Sequence, residues 1–223
     1  MTPPENPQHV IHHCDGVEWL RNSSLGPQDA IVTSLPDLSG LPTLGFEGWR
    51  DWFVGAAEQV CRAVHDESVA IFYQTDIKHE GRWVDKSLMV SEGAARAKSH
   101  LLWRKVVCRV APGITTFGRP AYAHLLCFSR EARIYPGEST PDVLPQTGET
   151  TWSRGMGADV CAAVIKFLRV RTECTNVVDP FCGQGSILAA ATAHGLGAVG
   201  VEISRKRVLK ARKIVGAVSR STD

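Results

Sequence analysis

Asp179-Pro180-Phe181-Cys182-Gly183-Gln184-Gly185-Ser186 sets an acid before two glycines, and Ile187 to Ala191 then run on with helical propensity. A helix that begins against glycines offers free backbone N–H groups and the positive end of its dipole, and a carboxylate or phosphate can approach closely. Glu202 follows Asp179 by 23 residues, at the end of the apolar run Ala198-Val199-Gly200-Val201. An acid in that place accepts hydrogen bonds from ribose hydroxyls. These types and spacings ask for a ligand with a ribose and a small charged part. A dinucleotide and a nucleoside amino acid both qualify, although Gly183-x-Gly185 lacks the third glycine of the dinucleotide fingerprint.

Other polar groups fall where strands should end. Asp15 follows Val10-Ile11-His12-His13-Cys14, and Ser34-Leu35-Pro36-Asp37 follows Ala30-Ile31-Val32-Thr33, where Pro36 lacks a donor and ends the ladder. Gln74, Asp76 and Lys78 close the strand that begins at Ser68, and Arg119 stands in the long turn from Ala111 to Pro120. In an open α/β sheet ligands bind beyond the carboxyl ends of strands, so all these residues fall on the binding side. Asp15-Gly16 is equally an ordinary turn pair, and Gln74 and Asp76 equally a solvated strand end. His12 and His13 point to opposite faces of a strand and cannot share one ion, so no metal site is expected.

The octapeptide at Asp179 resembles motif I of S-adenosylmethionine-dependent methyltransferases, especially the amino-methylating kind with Asp-Pro-Phe-x-Gly-x-Gly. Ser34-Leu35-Pro36-Asp37 resembles a divergent form of the Ser/Asn/Asp-Pro-Pro-aromatic tetrapeptide of enzymes that methylate amino groups of adenine or cytosine. The resemblance implies S-adenosylmethionine as cofactor, held by Asp15, Asp179, Pro180, Phe181, Cys182, Gly183, Gly185, Ser186 and Glu202, with Ser153, Arg154 and Gly155 at its methionine end. It implies that Ser34, Leu35, Pro36 and Asp37 form the catalytic group and orient the acceptor amine. Gln74, Asp76, Lys78 and Arg119 are the candidate substrate contacts. Leu35 replaces the first proline and leaves its carbonyl available, whereas Asp37 replaces the aromatic, so a carboxylate stands where a ring would stack on the base.

The elements that must position these groups follow from periodicity. Helices are expected over 48–64, 86–100 and 158–171 and from residue 204 onward, and strands near 10–14, 30–34, 68–78, 102–110, 121–129, 176–179 and 198–201. Residues 132–151 read as a crossing loop. The fold class is α/β, a Rossmann-like doubly wound seven-stranded sheet, mostly parallel with an antiparallel hairpin. Because the acceptor tetrapeptide precedes motif I, the resemblance implies the permuted order of the amino-methyltransferases. Residues 1–223 form one methyltransferase domain with 1–8 flexible, and 78–151 supply a substrate-recognition region.

Composition bounds the partners. The 223 residues are 43% hydrophobic and 22% charged, with a net charge of +2, so one sizeable core can form and no strong field advertises nucleic acid. Seven cysteines without a C-x-x-C pair read as reduced thiols of an intracellular protein, cytoplasmic or nuclear. No apolar run is long enough for a membrane, and the polar start is not a signal peptide. The expected partner is nucleic acid. RNA (tRNA or rRNA) is favoured over DNA, because DNA enzymes of the resembled branch commonly carry a separate recognition region and a folded RNA presents its own shape. A protein or small-molecule acceptor, a catalytically silent S-adenosylmethionine-binding subunit, and a protein partner or homodimer stay open.

Overall fold

The computed structural model describes residues 9–150, 152 and 155–222, the last three by backbone alone. Residues 1–8, Ser153 and Arg154 therefore lie outside the described residues. In chain order the elements are β1 (His9–His12), α1 (Gly16–Asn22), β2 (Asp29–Thr33), α2 (Gly45–Ala63), β3 (Ala70–Gln74), β4 (Ile77–His79), β5 (Arg82–Val84) and α3 (Lys86–Arg96). There follow β6 (His100–Cys108), β7 (Tyr122–Ser129), β8 (Val143–Leu144), α4 (Ala158–Arg171), β9 (Asn176–Asp179), α5 (Ser186–Ala193), β10 (Gly197–Val201) and α6 (Arg205–Thr222).

The main sheet has the order β1-β10-β9-β2-β3-β7-β6-β8. Every pairing is parallel except those of β7, which runs against β3 and β6. Strand residues alternate between two cores, as a sheet covered on both faces requires. Ala30, Val32, Ile71, Tyr73 and Val177 face α4, α5 and α6, while Ile31, Ala70, Phe72 and Val178 face α1, α2 and α3. On the second face Trp49, Phe53, Ala57 and Val60 of α2 are buried at helical spacing.

Three local expectations change. The sheet gains an eighth strand, because Val143 and Leu144 in the expected crossing loop pair with Val106 and Val107. The charged stretch after Lys78 folds as the β4–β5 hairpin, turning at Glu80 and Gly81, both with positive φ. Helix α3 stops at Arg96, since Lys98 adopts a φ of 57° and the Ser99 N–H turns back to the Ala94 carbonyl. Among the described residues no helix is long and apolar enough to cross a membrane.

The order of strands places the site. The parallel strands β9 and β2 are neighbours from which the chain proceeds to opposite sides of the sheet, β9 to β10 and β2 to β3, so the crevice of this open sheet lies beyond Asp179 and Thr33.

Candidate active site

Asp179 ends β9 in a buried position. Its Oδ1 accepts the Thr33 hydroxyl at 2.7 Å and the Phe181 N–H at 3.1 Å. Burial pushes its pKa up to about 7; the two hydrogen bonds oppose that rise and the charge of Glu202 adds to it. The chain then turns through Gly183 and Gly185, at φ of 57° and 82°, a region that side chains disfavour. Gly185 is the N-cap of α5 and brings no capping side chain of its own, and the positive end of a helix behind such a glycine corner favours an anion.

Trp152 lies against this corner: a Cβ at position 183 would stand 2.8 Å from its ring, and the Arg207 guanidinium sits over that ring at 5.7 Å. Glu202 is buried, and its Oε1 accepts the Ser204 N–H at 2.7 Å with Arg207 at 3.7 Å. Ile203 beside it is 68% exposed, an apolar face at the cleft wall. Cys182 is no nucleophile here, because burial with Asp179 and Glu202 nearby raises its pKa far above an ordinary thiol's.

Asp15 proves to be a helix cap. Its Oδ1 accepts the Glu18 N–H at 2.8 Å and starts α1. Gly16 presses on the opposite turn so closely that a Cβ there would stand 2.1 Å from the Pro180 carbonyl oxygen.

Across the crevice, Ser34 to Asp37 leave β2. The Trp49 indole donates to the Pro36 carbonyl at 3.1 Å and fixes the exit. Among the described residues neither the Ser34 hydroxyl nor the Leu35 carbonyl has a hydrogen-bond partner. Asp37 is ion-paired with Lys86, whose side chain is 3% exposed and whose Nζ stands 5.5 Å from the centre of the Phe53 ring. Burial lowers the Lys86 pKa, while Asp37 and then Asp76 act to raise it. Asp76 anchors this arrangement: it accepts the Lys86 N–H at 2.9 Å on one oxygen and faces His124 Nε2 at 3.1 Å with the other.

One cleft of about 260 Å³ collects these groups. It is lined by Asp15, Ser34, Leu35, Pro36, Asp37, Asp76, Arg119, Gly155, Asp179, Pro180, Phe181, Cys182, Gly183, Ser186 and Glu202. Three sequence candidates stand apart from the lining. Gln74 is buried with neither amide atom partnered among the described residues, Lys78 lies 4.8 Å over the Trp83 ring on the hairpin, and Gly185 sits behind the corner against Ala211 and Val215. Lys86, Trp152, Ile203, Arg109 and Arg207 line the cleft as well. Lys86 is delivered by the start of α3, Arg207 by α6 and Arg109 by the β6–β7 connection, while Ile203 follows Glu202 and Trp152 precedes α4.

Asp76, Asp85 and His124 could ring a cation, with ligand atoms within 4.8 Å of one another. Their oxygens already serve the start of α3, Asp85 accepting from Ser87 and Leu88 and Asp76 from Lys86. The group is therefore explained by helix capping.

This strand order, with β7 alone reversed and a glycine corner after β9, is a fold shared with solved methyltransferases. No family model and no curated protein sequence matches the chain. Among solved structures, it is similar to TTHA0409 of Thermus thermophilus, a candidate DNA modification methylase also solved with S-adenosyl-L-methionine. In that complex the TM-score is 0.70 at 17% identity, over 95% of this chain and 94% of the other. It is similar as well to the cytosine-N4-specific PvuII DNA methyltransferase, with a TM-score of 0.69 at 14% identity over 97% and 95% of the two chains. The M1.HpyAVI complex with S-adenosylmethionine follows, with a TM-score of 0.61 at 15% identity over 92% and 98%.

Proposed function

We propose that this protein transfers the methyl group of S-adenosylmethionine to an exocyclic amino group of a base in nucleic acid, and that the nucleic acid is DNA. The observation that carries the reading is the convergence in one cleft of two groups of opposite use. The glycine-led start of α5 with buried acids lies on one side, and the acceptors of Ser34 and Leu35, unpartnered among the described residues, lie on the other.

The residues suit the cofactor. The first turn of α5 and the Gly183 corner would take its carboxylate, Asp15 and Asp179 would face its cationic end, Glu202 would bind the ribose, and Ile203 and Trp152 offer apolar surface to the purine. Ser153 and Arg154, expected near the methionine end, lie outside the described residues. The bound cofactor supplies a methyl group already activated by the sulfonium. What the protein adds is position: Ser34 and the Leu35 carbonyl accept hydrogen bonds from the amine and aim its lone pair. An exocyclic amine becomes acidic only once methylated, so no strong base is needed, and Asp37 is engaged in its ion pair with Lys86.

The neighbours that carry a nucleic-acid name are named for DNA, and the RNA preference finds no support among them. TTHA0409, at a similar length, carries its name without room for a large added domain, which removes the reason for preferring RNA. Seven free thiols support an intracellular setting.

The test is calorimetric titration with S-adenosylhomocysteine, followed by transfer of labelled methyl to total DNA and RNA and mass spectrometry of the nucleosides. Binding with label in N-methylated adenine or cytosine of DNA is expected. Label confined to RNA would overturn the DNA assignment, and absence of binding would overturn the whole reading.

A further inference from the structure

Lys86 belongs to neither the cofactor corner nor the acceptor tetrapeptide, yet both its backbone and its side chain are anchored at the cleft. Its backbone N–H is fixed to Asp76, which faces His124 on β7, and its side chain is almost wholly buried over Phe53. Among the described residues its ammonium has one hydrogen-bond partner, Asp37. An ammonium has three protons, so donors remain. Asp37 in turn is 29% exposed and lines the cleft beside Ser34 and Leu35. The acceptor side thus presents a hydroxyl, a carbonyl, a carboxylate and, hydrogen-bonded to that carboxylate, a fixed cationic donor.

We propose that Lys86 is a specificity-determining residue: its ammonium donates to the unprotonated ring nitrogen beside the target amino group, while Asp37 holds it there. This rests on the function proposed above. In adenine and cytosine the ring nitrogen next to the amino group carries a lone pair. Guanine presenting its O6 edge, or thymine its O4 edge, places a protonated ring nitrogen beside the exocyclic oxygen, and that N–H would meet the ammonium donor to donor. A buried polar group left facing the wrong partner discriminates strongly, more than apolar contact does. The pair also accounts for the position of Asp37. A carboxylate cannot stack on a base as an aromatic ring does, so the base must be held by its edge, and a carboxylate bound to Lys86 supplies an edge reader.

The test uses oligonucleotides carrying, at the methylated position, the natural base or its deaza analogue, 1-deazaadenine or 3-deazacytosine, which keeps the amino group and replaces the ring nitrogen by C–H. With wild-type protein the analogue should lose roughly 10- to 100-fold in kcat/KM, the range of one charged hydrogen bond. Lys86→Met should lose a similar factor on the natural base and nothing further on the analogue, with S-adenosylhomocysteine affinity unchanged. Equal wild-type turnover of both bases overturns the proposal without any variant, as does a deaza penalty that persists in Lys86→Met. Either result leaves the methyltransferase reading standing. Failure of methyl transfer to every natural nucleic acid, with the cofactor bound, overturns that reading and this proposal together.

Discussion

The Thr33 hydroxyl stands 2.7 Å from Asp179 Oδ1 and joins the last residues of β2 and β9, one residue short of the acceptor tetrapeptide on one side and at the head of the glycine corner on the other. The two halves of the cleft are therefore tied by one buried hydrogen bond. Thr33→Val keeps the shape and leaves that oxygen with the Phe181 N–H alone. Losing a bond to a buried carboxylate should cost about 1–3 kcal/mol. Urea unfolding should show a lower midpoint at unchanged slope; an unchanged midpoint would mean that the two strands are not coupled through this bond.

Asp179 also gives stability a pH dependence of unusual sign. An unfolded aspartate titrates near 3.9, while burial lifts this one to about 7 in the folded chain. Between those values the folded state binds the extra proton. The contribution of this group is thus most favourable below about pH 4, declines as pH rises towards about 7, and is level beyond. Asp179→Asn should remove that slope and gain on wild type as pH rises from about 4.5 to about 7.5, read from urea midpoints. Parallel pH profiles for the two proteins would sink the idea.

Much of this fold is legible in the sequence. The β-branched runs at Ile31-Val32 and Val177-Val178 are buried strands because both faces of the sheet are covered, and the α4 boundaries follow its apolar period. What escapes are features with too little length or the wrong residue. Two residues of β8 have no period, and the β4–β5 turn puts Glu80 at positive φ where asparagine or glycine would have signalled a hairpin. In the cleft, residues carried by the glycine corner and strand exits are legible because chain geometry alone delivers them. Lys86 is not, since its place depends on Asp76 and Asp37 from distant segments.

Gly16 tests how tightly the two turns of the cleft are pressed together. A methyl group there would stand 2.1 Å from the Pro180 carbonyl oxygen, a backbone atom that cannot swing aside. Gly16→Ala should cost about 1–3 kcal/mol by overpacking. It should also weaken S-adenosylhomocysteine binding, because Asp15 and Pro180 both line the cleft. Thermal unfolding and calorimetry on the same sample would check both. A variant as stable and as tight-binding as wild type would show that the approach is not needed.

Glu202 carries the prediction that bears most directly on the ligand. One of its oxygens is occupied by the Ser204 N–H at 2.7 Å, with Arg207 Nη1 at 3.7 Å, which orients the buried carboxylate and leaves its second oxygen for a ribose diol. Glu202→Gln retains the shape and can retain the Ser204 contact, but exchanges a charged acceptor for an amide. A charge-assisted hydrogen bond contributes about 1.5–3 kcal/mol, so the Kd for S-adenosylhomocysteine should rise roughly 10- to 100-fold. Loss of affinity alone would not locate the contact. The decisive comparison is a ligand lacking both ribose hydroxyls, which should bind wild type about as weakly as the intact ligand binds Glu202→Gln, with no further loss when variant and analogue are combined. Additive losses would move the ribose elsewhere in the cleft and leave Glu202 as the anchor of the Ser204 turn.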